Sequence, residues 1–247
     1  MLSKRRDQGI KGSRDRVRTP EPLNPRTPEP LSSTSSARHQ PFLVVLSSPS
    51  GAGKTSICRG VERRDPNVAY SVSATTRPKR KGEVNGRSYF FYSEKQFQQL
   101  SENHGLLEHA DVYDHRYGTP RAPVLRQFHQ GRDVIADLDI QGMRSCRKVL
   151  PGTVGVFITA PSSNELARRL RDRGTDSSEA VARREADREA ELAAIPEFDY
   201  LVVNDQLKQA VDDVMAIIRA ERLRTSRMNP TAPARNNKTR TGPGTRK

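Results

Sequence analysis

The 247-residue chain carries a formal net charge of +14 with only 33% hydrophobic residues, a balance that spread evenly would point to disorder or to a nucleic-acid-binding surface. It is not spread evenly: residues 1–40 hold nine Lys/Arg against four Asp/Glu, residues 224–247 hold seven Lys/Arg and no acid, and the stretch between keeps 27 basic and 25 acidic residues. The basicity belongs to the ends, so the central stretch reads as one ordinary folded domain of about 180 residues.

Residues 1–40 read as a disordered, Pro-rich basic tail. They repeat Arg18-Thr-Pro-Glu-Pro-Leu23 as Arg26-Thr-Pro-Glu-Pro-Leu31, too rich in proline for a helix and too poor in apolar residues for a core. The repeat is either a ligand for a proline-reading module or a solvated tail. Arg and Ser in this segment hint at organelle targeting, but Asp7, Asp15, Glu21 and Glu29 argue against it. Cys58 and Cys146 are the only cysteines, and without a secretory signal ahead of the domain they are expected as reduced thiols. No apolar run approaches the roughly 18 residues of a membrane span. A cytoplasmic protein is the expectation.

The domain opens on Pro41-Phe-Leu-Val-Val-Leu-Ser47, an apolar run that reads as a buried strand, followed by Ser48-Pro49-Ser50-Gly51-Ala52-Gly53-Lys54-Thr55. Residues Lys54 to Arg64 then suit a helix with Ile57, Cys58 and Val61 on one side. Strand, glycine-rich loop and helix are the setting of a phosphate-binding loop. Gly51 and Gly53 permit positive φ and bring N–H groups close to an anion, and the helix N-terminus adds unpaired donors. Lys54 can reach the β- and γ-phosphates, and the Thr55 hydroxyl is placed to hold Mg²⁺. Ser48 stands where the G-x-x-x-x-G-K-[ST] pattern has its first glycine.

Further along, two short β-type runs around Tyr70–Arg77 and Tyr89–Tyr92 flank a loop holding Arg77, Lys79, Arg80 and Lys81. Phe97 and Leu100 mark a short helix, and Leu106 begins another extended segment. Residues 114–120 read as a turn leading into a helix with Val124, Leu125 and Phe128, closed by Gly131. Residues of about 70–120 thus form a small β-rich insertion. Asp133–Ile140 reads as a strand ending in two carboxylates, Asp137 and Asp139, which share one side and face the ligand crevice at the carboxyl end of a parallel sheet. Val154–Ala160 is a buried strand, and Ser162 with Glu165 makes a capping box for the next helix. Residues of about 163–195, with a highly charged helix from Ser177 to Ile195, suit either a mobile lid or a solvated helix. Tyr200–Asn204 is a final strand, and Leu207, Ala210, Val211, Val214, Ile217 and Ile218 form the stripe of a core-facing helix. Past Leu223 a second disordered basic tail is expected; the domain proper is 41–223.

A phosphate loop, an inserted β region, an arginine-rich segment and strand-end aspartates together suggest phosphoryl transfer between two nucleotides, which needs two facing phosphate sites and exclusion of water. The motifs Ser48–Thr55, Ser71-Val-Ser-Ala-Thr-Thr-Arg77-Pro-Lys-Arg80-Lys-Gly-Glu-Val-Asn-Gly86, Tyr117-Gly-Thr119, Asp137-Leu-Asp139-Ile-Gln-Gly142 and Val203-Asn-Asp205 resemble guanylate kinase over roughly Pro41 to Arg227. That resemblance implies an α/β fold: a phosphate-loop parallel sheet flanked by helices, with a small β-rich GMP-binding insertion and a helical lid. It also implies transfer of the γ-phosphoryl of ATP to GMP with Mg²⁺. Arg77, Arg80, Tyr89 and Tyr117 would then hold the GMP phosphate, and Ser73, Glu108 and Thr119 would read guanine. Asp137 and Asp139 would lie between GMP and metal, the latter with Thr55 as ligand. Arg169, Arg173 and Arg184, with Lys54, would serve catalysis, and Asn204 would lie near the adenine. Two departures stand out: His115-Arg116 before Tyr117, and the charged run after Arg184. An interaction module built on the same lobe and a kinase for another phosphorylated acceptor are the alternatives, though a dead module typically loses the loop lysine that is present here. The tails offer no aromatic platform, so nucleic acid is expected at most as a non-specific, salt-sensitive partner.

Overall fold

The computed structural model describes residues 39–49, 51–112, 114–172 and 191–228. Ser50, both outer tails and residues 173–190 of the expected lid lie outside them, together with Arg173 and Arg184.

A continuous apolar run buried on both faces favours a parallel sheet covered by helices. Strand β1 (Leu43–Ser47) is such a run, all five residues buried, and it occupies the centre of the main sheet. Helix α1 (Lys54–Arg64) follows the loop. Next come β2 (Val68–Tyr70), β3 (Ala74–Thr75), β4 (Phe90–Phe91), α2 (Glu94–Glu102), β5 (Leu106–Val112), β6 (His115–Pro120) and α3 (Arg121–His129). The chain continues through β7 (Asp133–Asp137), α4 (Ile140–Val149), β8 (Val154–Thr159) and α5 (Ser163–Asp172), then a single 3-10 turn (Ile195–Glu197), β9 (Tyr200–Val203) and α6 (Leu207–Arg222).

The main sheet runs β2-β7-β1-β8-β9, parallel at every pairing. Its two faces carry separate cores. Val44, Leu46 and Val156 pack with Ile57, Val61, Val211 and Val214 of α1 and α6; Leu43, Val45 and Val134 pack with Val124, Phe128 and Met143 of α3 and α4. Alternate residues of β1 therefore serve opposite cores, as the two-residue period of a strand requires. A second sheet, β4-β3-β6-β5, forms the inserted lobe over its own small core of Ala74, Phe97 and Leu106.

Three local readings change. Residues 115–120, expected as a turn, form β6, paired antiparallel with β5 from Val112↔His115 to Leu106↔Pro120. Ladder hydrogen bonds to a partner strand outweigh the turn propensity of Asp114, Gly118 and Pro120. The strand over 133–140 stops at Asp137, because Asp139 caps α4 by accepting from the Gly142 N–H at 2.6 Å; that helix was not foreseen. Beyond Leu223, where order was expected to end, described contacts continue: Gln40 N–H donates to the Arg227 carbonyl at 2.7 Å, and His39 bridges Met228. Among the described residues no helix is long and apolar enough to cross a membrane.

Candidate active site

The loop between β1 and α1 takes the form its glycines allow. Gly51 and Gly53 have φ of 91° and 89°, the left-handed region that costs an ordinary residue about 1 kcal/mol or more. Ser48 has no such φ, His104 being the one described non-glycine residue that does. This removes the need for glycine at that position of the pattern. The Ser48 hydroxyl donates to the Pro49 carbonyl at 2.7 Å, while its own carbonyl accepts from Lys54 Nζ at 3.2 Å. The lysine is therefore drawn back over its loop. Burial lowers its pKa, an effect opposed by the nearby carboxylates of Asp137 and Glu191.

Asn204 lies at the end of β9 and is buried. Its Nδ2 donates to the Ala52 carbonyl at 2.7 Å, and a Cβ on Gly53 would lie 2.6 Å from that nitrogen. The side chain expected near an adenine is thus a brace for the phosphate loop. Arg169, on α5, donates to the backbone carbonyls of Asn204 (3.0 Å) and Asp205 (3.4 Å) and to Glu165 at 2.7 Å. The Ser162 hydroxyl accepts from the Glu165 N–H at 3.2 Å, while the Glu165 carboxylate takes Arg168 and Arg169 instead of closing the expected capping box.

A cleft of about 370 Å³ opens between the carboxyl ends of the main-sheet strands and the inserted sheet. Of the expected residues, Thr55, Ser73, Tyr89, Glu108, Tyr117, Asp137 and Asp139 line it. On the main-sheet wall Asp137 ties α1 to the end of β2: one carboxylate oxygen accepts from the Thr55 hydroxyl at 2.5 Å, the other from the Tyr70 hydroxyl at 2.6 Å. Across the cleft, Glu108 Oε1 accepts from the Thr119 hydroxyl at 2.6 Å. Removal from water lifts the Glu108 carboxyl to about 7, with the Thr119 hydrogen bond pulling the other way. Gly142 faces this carboxylate from α4; a Cβ there would lie 3.4 Å from Glu108 Oε2 and 3.1 Å from Leu138 Cβ. The Tyr89 and Tyr117 rings meet edge-on at 6.1 Å.

The two lobe arginines are not among the lining residues, although Arg77 interacts with Tyr117, which is. Arg77 is 9% exposed and forks onto Glu83 at 2.7 and 3.2 Å while also donating to the Pro78 carbonyl. Its guanidinium lies 5.4 Å from the Tyr89 ring centroid. Arg80 engages Glu83 through its backbone N–H at 2.7 Å. Glu83 therefore fixes the loop that carries both.

Three lining residues with polar side chains escaped the sequence reading: Arg59, Tyr70 and Ser88. Arg59 lies one helical turn past Thr55, the i, i+4 spacing that puts two side chains on one face. Tyr70 ends β2, so the strand-end rule that selected Asp137 selects it as well. Its hydroxyl is pushed up out of reach of titration by burial and by Asp137, and it remains a donor. Cys58 and Cys146 are buried and unpaired.

An anion-cradling loop, a lysine and a threonine at a helix start, and a cleft beside them with a raised carboxyl on its far wall define a phosphate-loop protein with room for a second, polar ligand. Comparison with known proteins agrees. The family model described as guanylate kinase matches residues 40–221. A guanylate kinase of Carboxydothermus hydrogenoformans is 46% identical over 191 residues, covering 77% of this chain and 94% of that protein. One from Paramagnetospirillum magneticum is 47% identical over 187 residues, covering 75% and 87%. The crystal structure of guanylate kinase from Anaplasma phagocytophilum aligns with a TM-score of 0.61 at 29% identity, over 78% of this chain and 93% of that one. The chain belongs to the guanylate kinase family.

Proposed function

We propose that the protein transfers the γ-phosphoryl group of ATP to GMP, and less well to dGMP, giving ADP and GDP. The observation that carries this is the bridge from Thr55 to Asp137, which sets the phosphate loop against a cleft whose opposite wall bears Glu108. A carboxylate accepts hydrogen bonds from guanine N1–H and the exocyclic amine, and adenine offers no such pair.

In this reading an acceptor phosphate oxygen attacks the γ-phosphorus as the bond to the bridging oxygen breaks, and ADP leaves with the electron pair. A phosphate monoester has its second pKa near about 6 and is largely dianionic at neutral pH. The acceptor therefore needs no general base. What the protein must supply is position and positive charge. Lys54 and the loop N–H groups supply both on the donor side. Ser73, Glu108 and Thr119 orient the base. Tyr89 and Tyr117 present hydroxyls for the acceptor phosphate, with Arg77 and Arg80 joining if the Glu83 loop shifts toward it. Arg169, Arg173 and Arg184 are assigned to charge in flight.

The oxygen donors gathered at Thr55 and Asp139 suit Mg²⁺, a hard ion that prefers oxygen. Asp139 commits Oδ1 to Gly142, and no described residue donates to its other oxygen. When bound, the ion neutralises the β- and γ-phosphate oxygens. Such an enzyme would serve purine nucleotide recycling in the cytoplasm.

The test is ADP release from ATP and Mg²⁺ with GMP, AMP, CMP or UMP as acceptor. Turnover with GMP alone is the expected result. Turnover with another acceptor, or ATP hydrolysis without GDP, would overturn the proposal.

A further inference from the structure

Among the described residues lining the cleft, three are carboxylates (Glu108, Asp137 and Asp139) and one is a cation, Arg59. A dianionic acceptor entering beside three carboxylates needs compensating positive charge on the wall it meets. The lobe arginine Arg77 is not among the lining residues and is already forked onto Glu83 behind the Tyr89 ring.

Arg59 is held for such a task. Its guanidinium carbon lies 3.7 Å from the Tyr70 ring centroid, a stacked cation–π contact that leaves the edges of the guanidinium to donate. Its Nη1 donates to Glu62 at 2.9 Å, and Glu62 also accepts from the Tyr70 N–H at 3.1 Å. No other described residue takes the remaining Arg59 N–H groups. The Tyr70 hydroxyl in turn donates to Asp137. Platform, counter-charge and Asp137 thus form one connected frame from Glu62 to Thr55, and the guanidinium is fixed in it at about a third exposed.

We infer that Arg59, stacked on Tyr70, is a substrate-phosphate contact: it donates to the phosphate of the nucleoside monophosphate and supplies the one positive charge among the described residues lining the cleft. This rests on the GMP reading above. It assigns a role to a residue that belongs to neither the phosphate-loop motif nor the lobe motifs.

The test compares full-length wild type, Arg59→Gln, Arg59→Lys and Tyr70→Phe by calorimetric titration with GMP and with guanosine, and by steady-state kinetics. Losing a charged hydrogen bond to phosphate should weaken GMP binding about ten- to a hundredfold in Arg59→Gln. Guanosine, which lacks the phosphate, should bind both proteins equally, and KM for ATP should not move. Arg59→Lys should recover part of the loss. Tyr70→Phe keeps the ring platform and should retain most GMP affinity. Equal GMP affinity in wild type and Arg59→Gln would overturn the inference, as would an equal loss for guanosine, which would mark a structural role. If wild type itself failed to bind GMP, the functional reading would fall instead, so the two failures are distinguishable.

Discussion

If the proposed reading holds, one half-buried carboxyl, Glu108, ties recognition to pH. Its carboxyl is lifted to about 7 because the cleft wall strips water from it, and only the ionised form accepts both guanine donors. Below pH 7 each unit should therefore weaken guanosine binding about tenfold, with a plateau above. Guanosine is the right probe, because the phosphate of GMP titrates in the same range. Glu108→Gln should abolish that slope, and a slope that survived would remove Glu108 from the role. The stability linkage has the opposite sense. A folded-state value above the ordinary 4.5 means that the folded protein loses stability as pH rises toward and through 7. Glu108→Gln should therefore raise Tm at pH 8 and leave it nearly unchanged at pH 5. Selectivity would be lost as stability is gained, the exchange expected of a residue kept for binding.

The elements that carry the site were legible in the sequence where a strong local signal coincided with a tertiary one. β1, its glycine loop and α1 combine an apolar run, positive-φ glycines and a helical stripe, and all three agree. β6 failed because His115–Pro120 has turn-forming residues and gains its strand character only from pairing with β5. α4 was hidden because Asp139 looked like a strand-end carboxylate, whereas one of its carboxylate oxygens caps the helix. Asn204 was expected near an adenine; its brace to Ala52 runs over 152 residues of chain and leaves no local trace. That brace gives a prediction. Asn204→Ala strands a buried carbonyl at Ala52 and should cost about 1–3 kcal/mol of stability, with a raised KM for ATP and an unchanged KM for GMP. An unchanged KM for ATP would refute the brace. Helix packing gives another. Gly60 lets α1 approach α6 so closely that a Cβ would lie 2.6 Å from Val211 Cγ2. Gly60→Ala should gain about 0.5–1 kcal/mol of helix propensity yet lose about 1–3 to overpacking. Adding Val211→Ala should restore part of the loss, a coupling that urea midpoints of the four proteins would read directly.

At the scale of the molecule, the two ends of the domain are fastened to each other on the edge of the main sheet that carries the strand starts, away from the cleft. His39 Nε2 lies 2.9 Å from Asp133, which is fully buried at the start of β7 and also takes Arg222 Nε at 2.7 Å. Arg222 reaches Asp65 with its other arm at 2.7 Å. Glu221, 2% exposed, accepts from the Tyr200 hydroxyl at 2.7 Å, from Arg227 Nε at 3.3 Å and from Arg224 at 3.5 Å. Arg227 lies 4.3 Å over the Phe42 ring and donates to the Gly152 carbonyl at 2.9 Å. A buried carboxylate left with a single hydroxyl donor is costly, because its desolvation is no longer offset by an opposite charge. Residues 224–228 therefore belong to the folding unit even though their composition reads as the start of a basic tail. A chain ending at Leu223 should be less stable than one ending at Met228 by about 2 kcal/mol or more. Glu221→Gln should recover part of that loss in the shorter chain, since a neutral amide needs no arginine, and should destabilise the longer one. Equal urea midpoints for the two truncations would show that the fold closes without Arg224 and Arg227. The same cycle separates charge from packing, because only the charge component responds to the amide.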